Sequence, residues 1–455
     1  MTNRTDVVIA GAGMAGLAAA LACVQAGLRV RVLEKRSTVG GQAAISAGAI
    51  WAPPTFEAIR DYVPDGDPSL QRLLVERLPD DLRWLQDSGL ALSEVEPLAG
   101  FGCGRVMLGG ESGRHAAFMD AMADRVKGHG GRVDTGLALD GATRTADGAW
   151  LLDLSDGSRQ ACTALVIATG GYQGSPHWLA RFLGADRAAA LVLRGLPESA
   201  GDGLRVALSL GAATGGDMAS FYGHSMPDCP LSLASLQPLT PYFARHGVLV
   251  NRDGERFVDE CAARLEEVNP QEGCRQAGGK YHLIFDRRIY EQHGIDQGVI
   301  SAVPSIDRLA RLQELGAPVV SAPSLEVLAE RLVEDGLPAA RLLATLAAYN
   351  EACDRGTAEH LRPARVRSAV ALRVAPFYAM RCVPGITNTC GGIRVDAQAR
   401  VLAASGAPIE GLHAAGTDAG GVFGRHYAGF LGWALVSGRR AGLSASQGLR
   451  QGGSR

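Results

Sequence analysis

The opening run DVVIAGAGMAGLAAALACVQAGLRVRVLEK constrains the fold more than any other stretch, because it compresses a strand, a glycine turn, a helix and a second strand into about thirty residues. An apolar strand over Asp6–Ala10 runs into the turn Gly11, Ala12, Gly13, Met14, Ala15, Gly16. Leu17, Ala20, Leu21 and Val24 then recur at helical spacing, and Gly27 marks the stop. A second strand over Arg29–Leu33 delivers Glu34, about twenty residues past the glycines, with Lys35 behind it. Gly11 permits the tight turn, Gly13 lets backbone approach a pyrophosphate, and Gly16 lets helix and strand pack closely. The helix amino terminus then offers unpaired N–H groups to phosphate, and Glu34 suits a ribose. A glycine-rich turn without ligand would account for the turn alone; the strands, the helix and the acid together read as a dinucleotide site.

Composition narrows the class further. A chain of 455 residues accommodates two or three domains. Its net charge of −2 and lack of a basic block argue against nucleic acid or an anionic membrane surface as partner. Nine scattered cysteines, with no CxxC, haem signature or metal-ligand spacing, argue against a disulfide framework, an iron–sulfur cluster or a zinc site. The odd count suits a reducing compartment. A first strand starting at Asp6 leaves no room for a signal peptide, and no apolar run reaches the roughly eighteen residues of a membrane span. The expectation is a soluble, cytoplasmic protein.

After the ribose acid, EKRSTVGGQAAISAGAIWAP sets out Gly40, Gly41, Gln42, Ala43, Ser46, Ala47 and Gly48, a track of small residues against which an extended, flat ligand can lie. Ala164–Ala168 form an apolar β run ending in Thr169, Gly170 and Gly171, and SAGDGLRVALSLGAA puts Asp202 between two glycines at a helix start. GLHAAGTDAGG repeats the small-residue pattern before the last helix. These pieces resemble the FAD-dependent fumarate reductase and succinate dehydrogenase flavoprotein family, which includes tricarballylate and 3-ketosteroid dehydrogenases. The resemblance covers nearly the whole chain, in the family's order.

The resemblance implies an α/β fold: a Rossmann-like FAD-binding domain, a parallel sheet with a β meander, interrupted by an α+β capping domain. The boundaries expected are 1–222 and 389–455 for the FAD-binding domain and 223–388 for a mobile cap. It places Glu34 and Lys35 at the adenosine ribose, Gly41, Gln42, Ala43, Ser46 and Gly48 along the pyrophosphate and flavin, and Thr169, Gly170, Asp202 and Gly432 beside the cofactor. Where the family carries a glutamate for the ribityl chain, this sequence has Thr417 and then Asp418, and the role is expected to fall to one of the two, Asp418 before Thr417. The respiratory members' flavin-attaching histidine is missing, so FAD is expected to be held non-covalently. A separate electron donor or acceptor is expected too.

The remaining organisation is read from pattern. Leu70–Ser88 reads as a helix interrupted at Pro79, and Trp150–Leu154 as a strand between turns at Asp147-Gly148 and Asp156-Gly157. Helical patterns cover Ser324–Leu332 and Ala339–Cys353; a strand is expected over Gly392–Asp396, and a last helix over Gly432–Leu443 before a frayed tail.

Oxidation of a C–C bond needs a hydride acceptor, a group that moves a proton, and electrophiles that polarise an adjacent carbonyl. Three stretches could supply the last two where cap meets flavin. In GERFVDECAARLEEV the family's proton-exchanging arginine falls on Arg264, with Glu260 or Asp259 as relay partner; the plainer reading is an ion-paired helical surface of Arg256, Asp259, Glu260 and Arg264. In MASFYGHSMP, His224 aligns with a carboxylate-gripping histidine, or is an ordinary hydrogen-bonded one. In GGVFGRHYAGFLGWALVSGRRAG, Tyr427 stands where fumarate reductases carry a substrate arginine and ketosteroid dehydrogenases a tyrosine, with Arg425 and His426 beside it in what is otherwise a polar turn. NTCGG puts Asn388 in place of a carboxylate-binding histidine.

Two dicarboxylate anchors are thus replaced. Each charged hydrogen bond contributes roughly 1.5–3 kcal/mol, so dicarboxylate affinity should fall about a hundredfold or more. The resulting expectation is an FAD-dependent dehydrogenase or reductase of a carbon–carbon bond next to a ketone or single carboxylate, with hydride transfer to or from flavin N5 coupled to proton transfer. Two alternatives stand beside it. One is a tricarballylate-like or fumarate-reductase-like enzyme anchoring its substrate on Arg425 and His426; the other is a flavin electron carrier without carbon chemistry. Trp51, Phe101, Phe221, Tyr222 and Phe423 either wall an apolar pocket or belong to the core.

Overall fold

Strands β1 (Thr5–Ala10) and β2 (Val30–Glu34) lie parallel, Val7 opposite Val30 and Ala10 opposite Leu33, with helix α1 (Met14–Gln25) as their crossover. This computed structural model describes residues 5–98, 102–295 and 306–452. From Met14 to Val24 every residue of α1 is buried. That explains why the helix is Ala- and Leu-rich all round: no face of it meets water. Small residues also set how closely it is packed. A Cβ on Gly16 would lie 1.9 Å from the Gly11 carbonyl oxygen, so only glycine lets the helix rise so tightly from the turn. Across from it, Cβ atoms on Gly438 and Gly442 of the helix Phe430–Gly452 would lie 2.2 Å from Ala15 O and 2.4 Å from Ala19 O.

The chain forms two compact units, Met1–Phe182 with Gly195–Phe221 and Asn388–Arg455, and Leu183–Arg194 with Tyr222–Thr387. The first unit is built on an eight-stranded sheet. Its parallel strands run Pro408–Ala414, Arg159–Ile167, β1, β2, Arg132–Thr135, with Arg400–Leu402 antiparallel at the edge. Arg159–Ile167 serves two partners. Its first half pairs antiparallel with Trp150–Leu154 of the meander, and its second half lies parallel to β1 and to Pro408–Ala414. The five parallel strands therefore end at one edge of the sheet, where Glu34 is the last residue of β2 and Gly11, Thr169 and Gly416 lie just beyond three others.

The second unit has a six-stranded sheet around the long strand Phe377–Thr389. Tyr281–Asp286 and Val319–Ala322 flank its start, with Met380 opposite both Leu283 and Val319, while Val192–Leu193 runs parallel to its end. Tyr281, Leu283, Phe285 and Met380 are buried against Leu342 and Leu346 of the helix Ala339–Arg355.

Three expectations need correcting. The helix Pro68–Asp87 runs through Pro79 without a break, because Pro79 is exposed while the stripe Leu70, Leu74, Leu78, Leu82, Leu85 stays buried across it. The lost hydrogen bond falls on the solvent side, where water can substitute. The strand expected over Gly392–Asp396 shrinks to Gly392–Ile393, paired with Thr214–Gly215. The last helix begins at Phe430 and continues to Gly452, since buried Ala445 and Ser446 carry its packed face beyond Leu443. Among the described residues no helix is long and apolar enough to cross a membrane.

Candidate active site

The edge where the parallel strands end carries the residues assigned to the cofactor. Gly13 caps α1 with no side-chain hydrogen bond, and a Cβ there would find no neighbour nearer than Gly40 O at 3.9 Å. Uncapped amides above an open hollow lined by backbone are what a phosphate anion requires. Glu34 closes the turn from the other side. Its Oε2 accepts the Ala12 N–H at 2.8 Å and its Oε1 the Arg36 N–H at 2.9 Å. Burial pushes its pKa up against those two amide bonds, and each oxygen keeps lone-pair capacity for a ribose hydroxyl.

The small-residue track is shaped by its own side chains. Ser46 donates to Ala43 O at 2.8 Å and accepts from Gly48 N at 3.0 Å, while Gln42 Oε1 accepts from Leu196 N at 3.0 Å. Asp202 opens the helix Asp202–Ser209 and pairs with Lys35 at 2.9 Å, both partly exposed. Gly432 sits in the first turn of the last helix, facing Trp51 O and Ile50. Asp418 is fully buried. One oxygen accepts from Thr169 Oγ1 at 3.0 Å and Gly170 N at 2.9 Å, and the other has no protein partner. Gln173 Oε1 and Thr389 Oγ1, also buried without partner, flank Gly171 of the same turn. Each orphaned oxygen leaves about 1–3 kcal/mol of desolvation unrelieved, so the edge is suited to a ligand carrying hydrogen-bond donors. Gln173 and Thr389 had no sequence signal of their own.

Tyr427 is half-buried in an aromatic cluster, its ring 5.6 Å from Trp51, 5.7 Å from Phe423 and 5.5 Å from Phe430. Beside it, Asp65 accepts the backbone N–H of Arg425 and lies 3.5 Å from His426 Nδ1. Burial alone would raise the Asp65 pKa, but the bonds from His426 and Arg425 outweigh it and hold the carboxylate ionised. Asp65, in the turn VPDGDP, was not singled out by sequence. Asn388 is buried, with no partner for its Oδ1. Of the aromatic candidates, Trp51, Phe221, Tyr222 and Phe423 are buried, and Phe101 lies outside the described residues.

The second unit holds the proton-transfer candidates. Residues 254–265 form no helix, and Glu260 is completely buried, so the ion-paired helical surface is not what forms. Glu260 is clamped by Arg256 at 3.0 and 2.6 Å and by Arg365 at 2.7 Å, and it also accepts the Leu249 N–H at 3.0 Å. Burial acts to raise its pKa, but Arg365 and Arg256 prevail and lower it. Asp259 accepts from the Cys261 and Val366 amides. Both acids proposed as partners of Arg264 are therefore engaged in holding the fold. Arg264 itself is half-buried, its carbonyl accepting from Arg245 Nη1 at 2.7 Å.

His224 has no solvent exposure. Its Nε2 meets Tyr222 OH at 2.9 Å and its Nδ1 meets Glu266 Oε1 at 3.4 Å, with the Tyr242 ring edge-on at 5.0 Å. Burial, reinforced by Arg194, drives the imidazole pKa far down. Glu266 is pushed far up by burial, opposed by Arg245 and Arg194 and aided by Glu267. Burial therefore disfavours charge on both members of the pair. Arg194, missed by sequence because LRGLP shows no motif, bonds only neutral hydroxyls: Thr240 at 3.0 Å, Thr387 at 3.1 Å and Tyr242 at 2.7 Å.

The sequence pattern of the FAD binding domain family matches residues 6–429. Fumarate reductase (cytochrome) of Shewanella frigidimarina is 27% identical over 98% of this chain and 77% of its own length. The 4-oxocyclohexanecarboxylate 2-dehydrogenase of Sinomonas cyclohexanicum is 28% identical over 93% of this chain and 89% of its own. A structure of 3-ketosteroid delta1-dehydrogenase from Sterolibacterium denitrificans, 20% identical, superposes with a TM-score of 0.77 across 98% of this chain and 100% of that one, a likeness of fold.

Proposed function

Because this chain belongs to the FAD binding domain family, we propose that it is an FAD-dependent oxidoreductase acting on a carbon–carbon bond next to a ketone or a single carboxylate, within a cyclic or otherwise bulky substrate. One observation carries the substrate reading: the Tyr427 ring packs among the three aromatic rings of Trp51, Phe423 and Phe430. A relative named for a cyclic ketone bearing one carboxylate supports it. Residues 1–222 and 389–455 are proposed to carry the cofactor, held on a Rossmann-like sheet without a covalent bond, and 223–388 to act as the cap.

When bound, FAD supplies the hydride acceptor or donor. The protein's own groups handle the rest. The Tyr427 hydroxyl donates to the substrate carbonyl oxygen, which makes the neighbouring C–H more acidic. Arg264 exchanges the proton, its fixed positive charge stabilising the enolate-like transition state. Neutral His224 cannot pair electrostatically with a carboxylate, which again disfavours dicarboxylates. The uncapped turn of α1 and Glu34 hold the cofactor's pyrophosphate and ribose. A separate electron donor or acceptor completes the cycle, and the odd count of nine scattered cysteines suits a reducing, cytoplasmic setting.

A polycarboxylate anchored on His426 would have to compete with Asp65, whose carboxylate lies 3.5 Å from His426 Nδ1. The test is an anaerobic titration of the FAD-loaded protein with cyclic ketones, cyclic monocarboxylates, tricarballylate and fumarate, read as flavin bleaching. Bleaching by the first two classes is expected. Bleaching by tricarballylate or fumarate alone would overturn the substrate reading, and exchange with redox dyes but with no carbon substrate would indicate an electron carrier.

A further inference from the structure

We propose that Glu266, His224 and Tyr222 form a buried proton wire, with Glu266 as the store and Tyr222 as the outlet, feeding the proton-transfer step of the reaction. The inference rests on the oxidoreductase reading above and adds a named source for the proton. Its basis is a continuous line of hydrogen bonds inside one unit: Glu266 Oε1 to His224 Nδ1 at 3.4 Å, and His224 Nε2 to Tyr222 OH at 2.9 Å. The line is sealed, since Glu266 is 1% and His224 0% exposed.

Three features separate this line from an ordinary structural bond. Glu266 sits at φ 57°, in the left-handed region, where a non-glycine residue is strained and persists only when its surroundings enforce it. Its second oxygen, Oε2, is buried without a partner, whereas both oxygens of nearby Glu260 are bonded. The groups facing the line are arranged so that charge can arise at one end only. Arg194 and Arg245 face Glu266, and Glu267, Tyr281 and Cys382 are its other titratable neighbours. Arg194 also opposes charge on His224, while Tyr242 packs against the ring and is tied to Arg194.

The proton balance follows from the two tautomers of imidazole. The Glu266 O–H passes its proton to His224 Nδ1, His224 Nε2–H passes one to the Tyr222 oxygen, and the Tyr222 O–H passes one to the Arg264 guanidine that has just protonated the substrate carbon. Afterwards Glu266 is a carboxylate facing two guanidiniums, His224 is neutral in its other tautomer, and Tyr222 is unchanged. One proton has left, no electrons have moved, and a proton from water entering at Tyr222, the most exposed member of the line at 8%, restores the store by the reverse steps. Transfer through the ring avoids an imidazolium beside Arg194. In the dehydrogenation direction the same steps run backwards.

The test uses the FAD-loaded full chain and its Glu266→Gln and Glu266→Asp variants. Infrared difference spectroscopy of the wild type should show a carboxylic-acid C=O band at neutral pH that shifts in D2O and is missing from Glu266→Gln. This readout needs no substrate, so a missing band in the wild type overturns the wire whether or not the oxidoreductase reading holds. With a substrate that bleaches the flavin, Glu266→Gln should lower kcat by about a hundredfold with KM little changed. Glu266→Asp, which keeps the acid, should recover part of that loss. An unaltered kcat and solvent isotope effect in folded, FAD-loaded Glu266→Gln would overturn the wire. Absence of turnover in the wild type on every substrate would instead refute the oxidoreductase reading.

Discussion

Glu260 and Glu266 lie in one short stretch, GERFVDECAARLEEV, and are both buried, yet they carry opposite states. Glu260 has two guanidiniums and a backbone amide on its oxygens and is held as a carboxylate. Glu266 has the His224 imidazole at Oε1, and burial pushes its pKa well above the usual carboxylate range. Burial raises the pKa of both, so the sign of the outcome depends on whether cations are in direct contact or at a distance. A buried acid clamped by arginines holds loops together; one left beside a neutral ring is available to move a proton.

The strongest way to break this contrast is Glu260→Gln. It leaves Arg256 and Arg365 buried without their anion, and the expected loss is about 3–5 kcal/mol in denaturant unfolding. Glu266→Gln replaces a neutral acid by its neutral isostere, so stability at acidic pH should stay within about 1 kcal/mol while turnover collapses. A stability loss equal to that of Glu260→Gln would put the two acids in one class.

Unfolding at several pH values sharpens the contrast further. Glu260 has a depressed pKa, so its contribution is present above glutamate's ordinary 4.5 and disappears as pH falls through the lower folded value. The deficit of Glu260→Gln should therefore shrink on acidification. Glu266 has a raised pKa, so the folded state retains a proton that the unfolded chain releases above 4.5, and wild-type stability declines as pH rises. Glu266→Gln lacks that decline, and relative to wild type it should gain stability from pH 5 to pH 7. Urea midpoints at the two pH values check both signs.

The smallest effect on the fold is expected in the cofactor turn, where the same division between holding and leaving room recurs. Gly11, at φ 106° with a virtual Cβ 2.1 Å from Ala168 O, should not accept alanine without destabilising the first unit. Gly13→Ala meets open space, so thermal unfolding of the cofactor-free protein should shift little while FAD affinity drops. Equal FAD affinity in Gly13→Ala and wild type would place the phosphate elsewhere.

What could be read from sequence was local. The strand–turn–helix–strand unit, the meander around Trp150–Leu154 and the helices near Ser324 and Ala339 each carry their spacing and turn residues within a short window. Pro79 misled because its cost depends on which face meets water, a tertiary fact. The site was legible only where a motif named it. A motif named Arg264 and His224 as candidates, but the Glu260 clamp depends on Arg365, brought from far along the chain, and the environment of His224 on Arg194 and Glu266. Within LEEV, charge alone could not distinguish a solvated acid from a sealed one.

The central claim, that hydride exchange with the cofactor is coupled to a proton moved by Arg264, is tested most directly by single-turnover mixing of FAD-loaded wild type and Arg264→Ala with a substrate that bleaches the wild type. The expected result is equal FAD content and a bleaching rate lower by about 10²–10⁴-fold in Arg264→Ala. Bleaching at the wild-type rate in Arg264→Ala would contradict it.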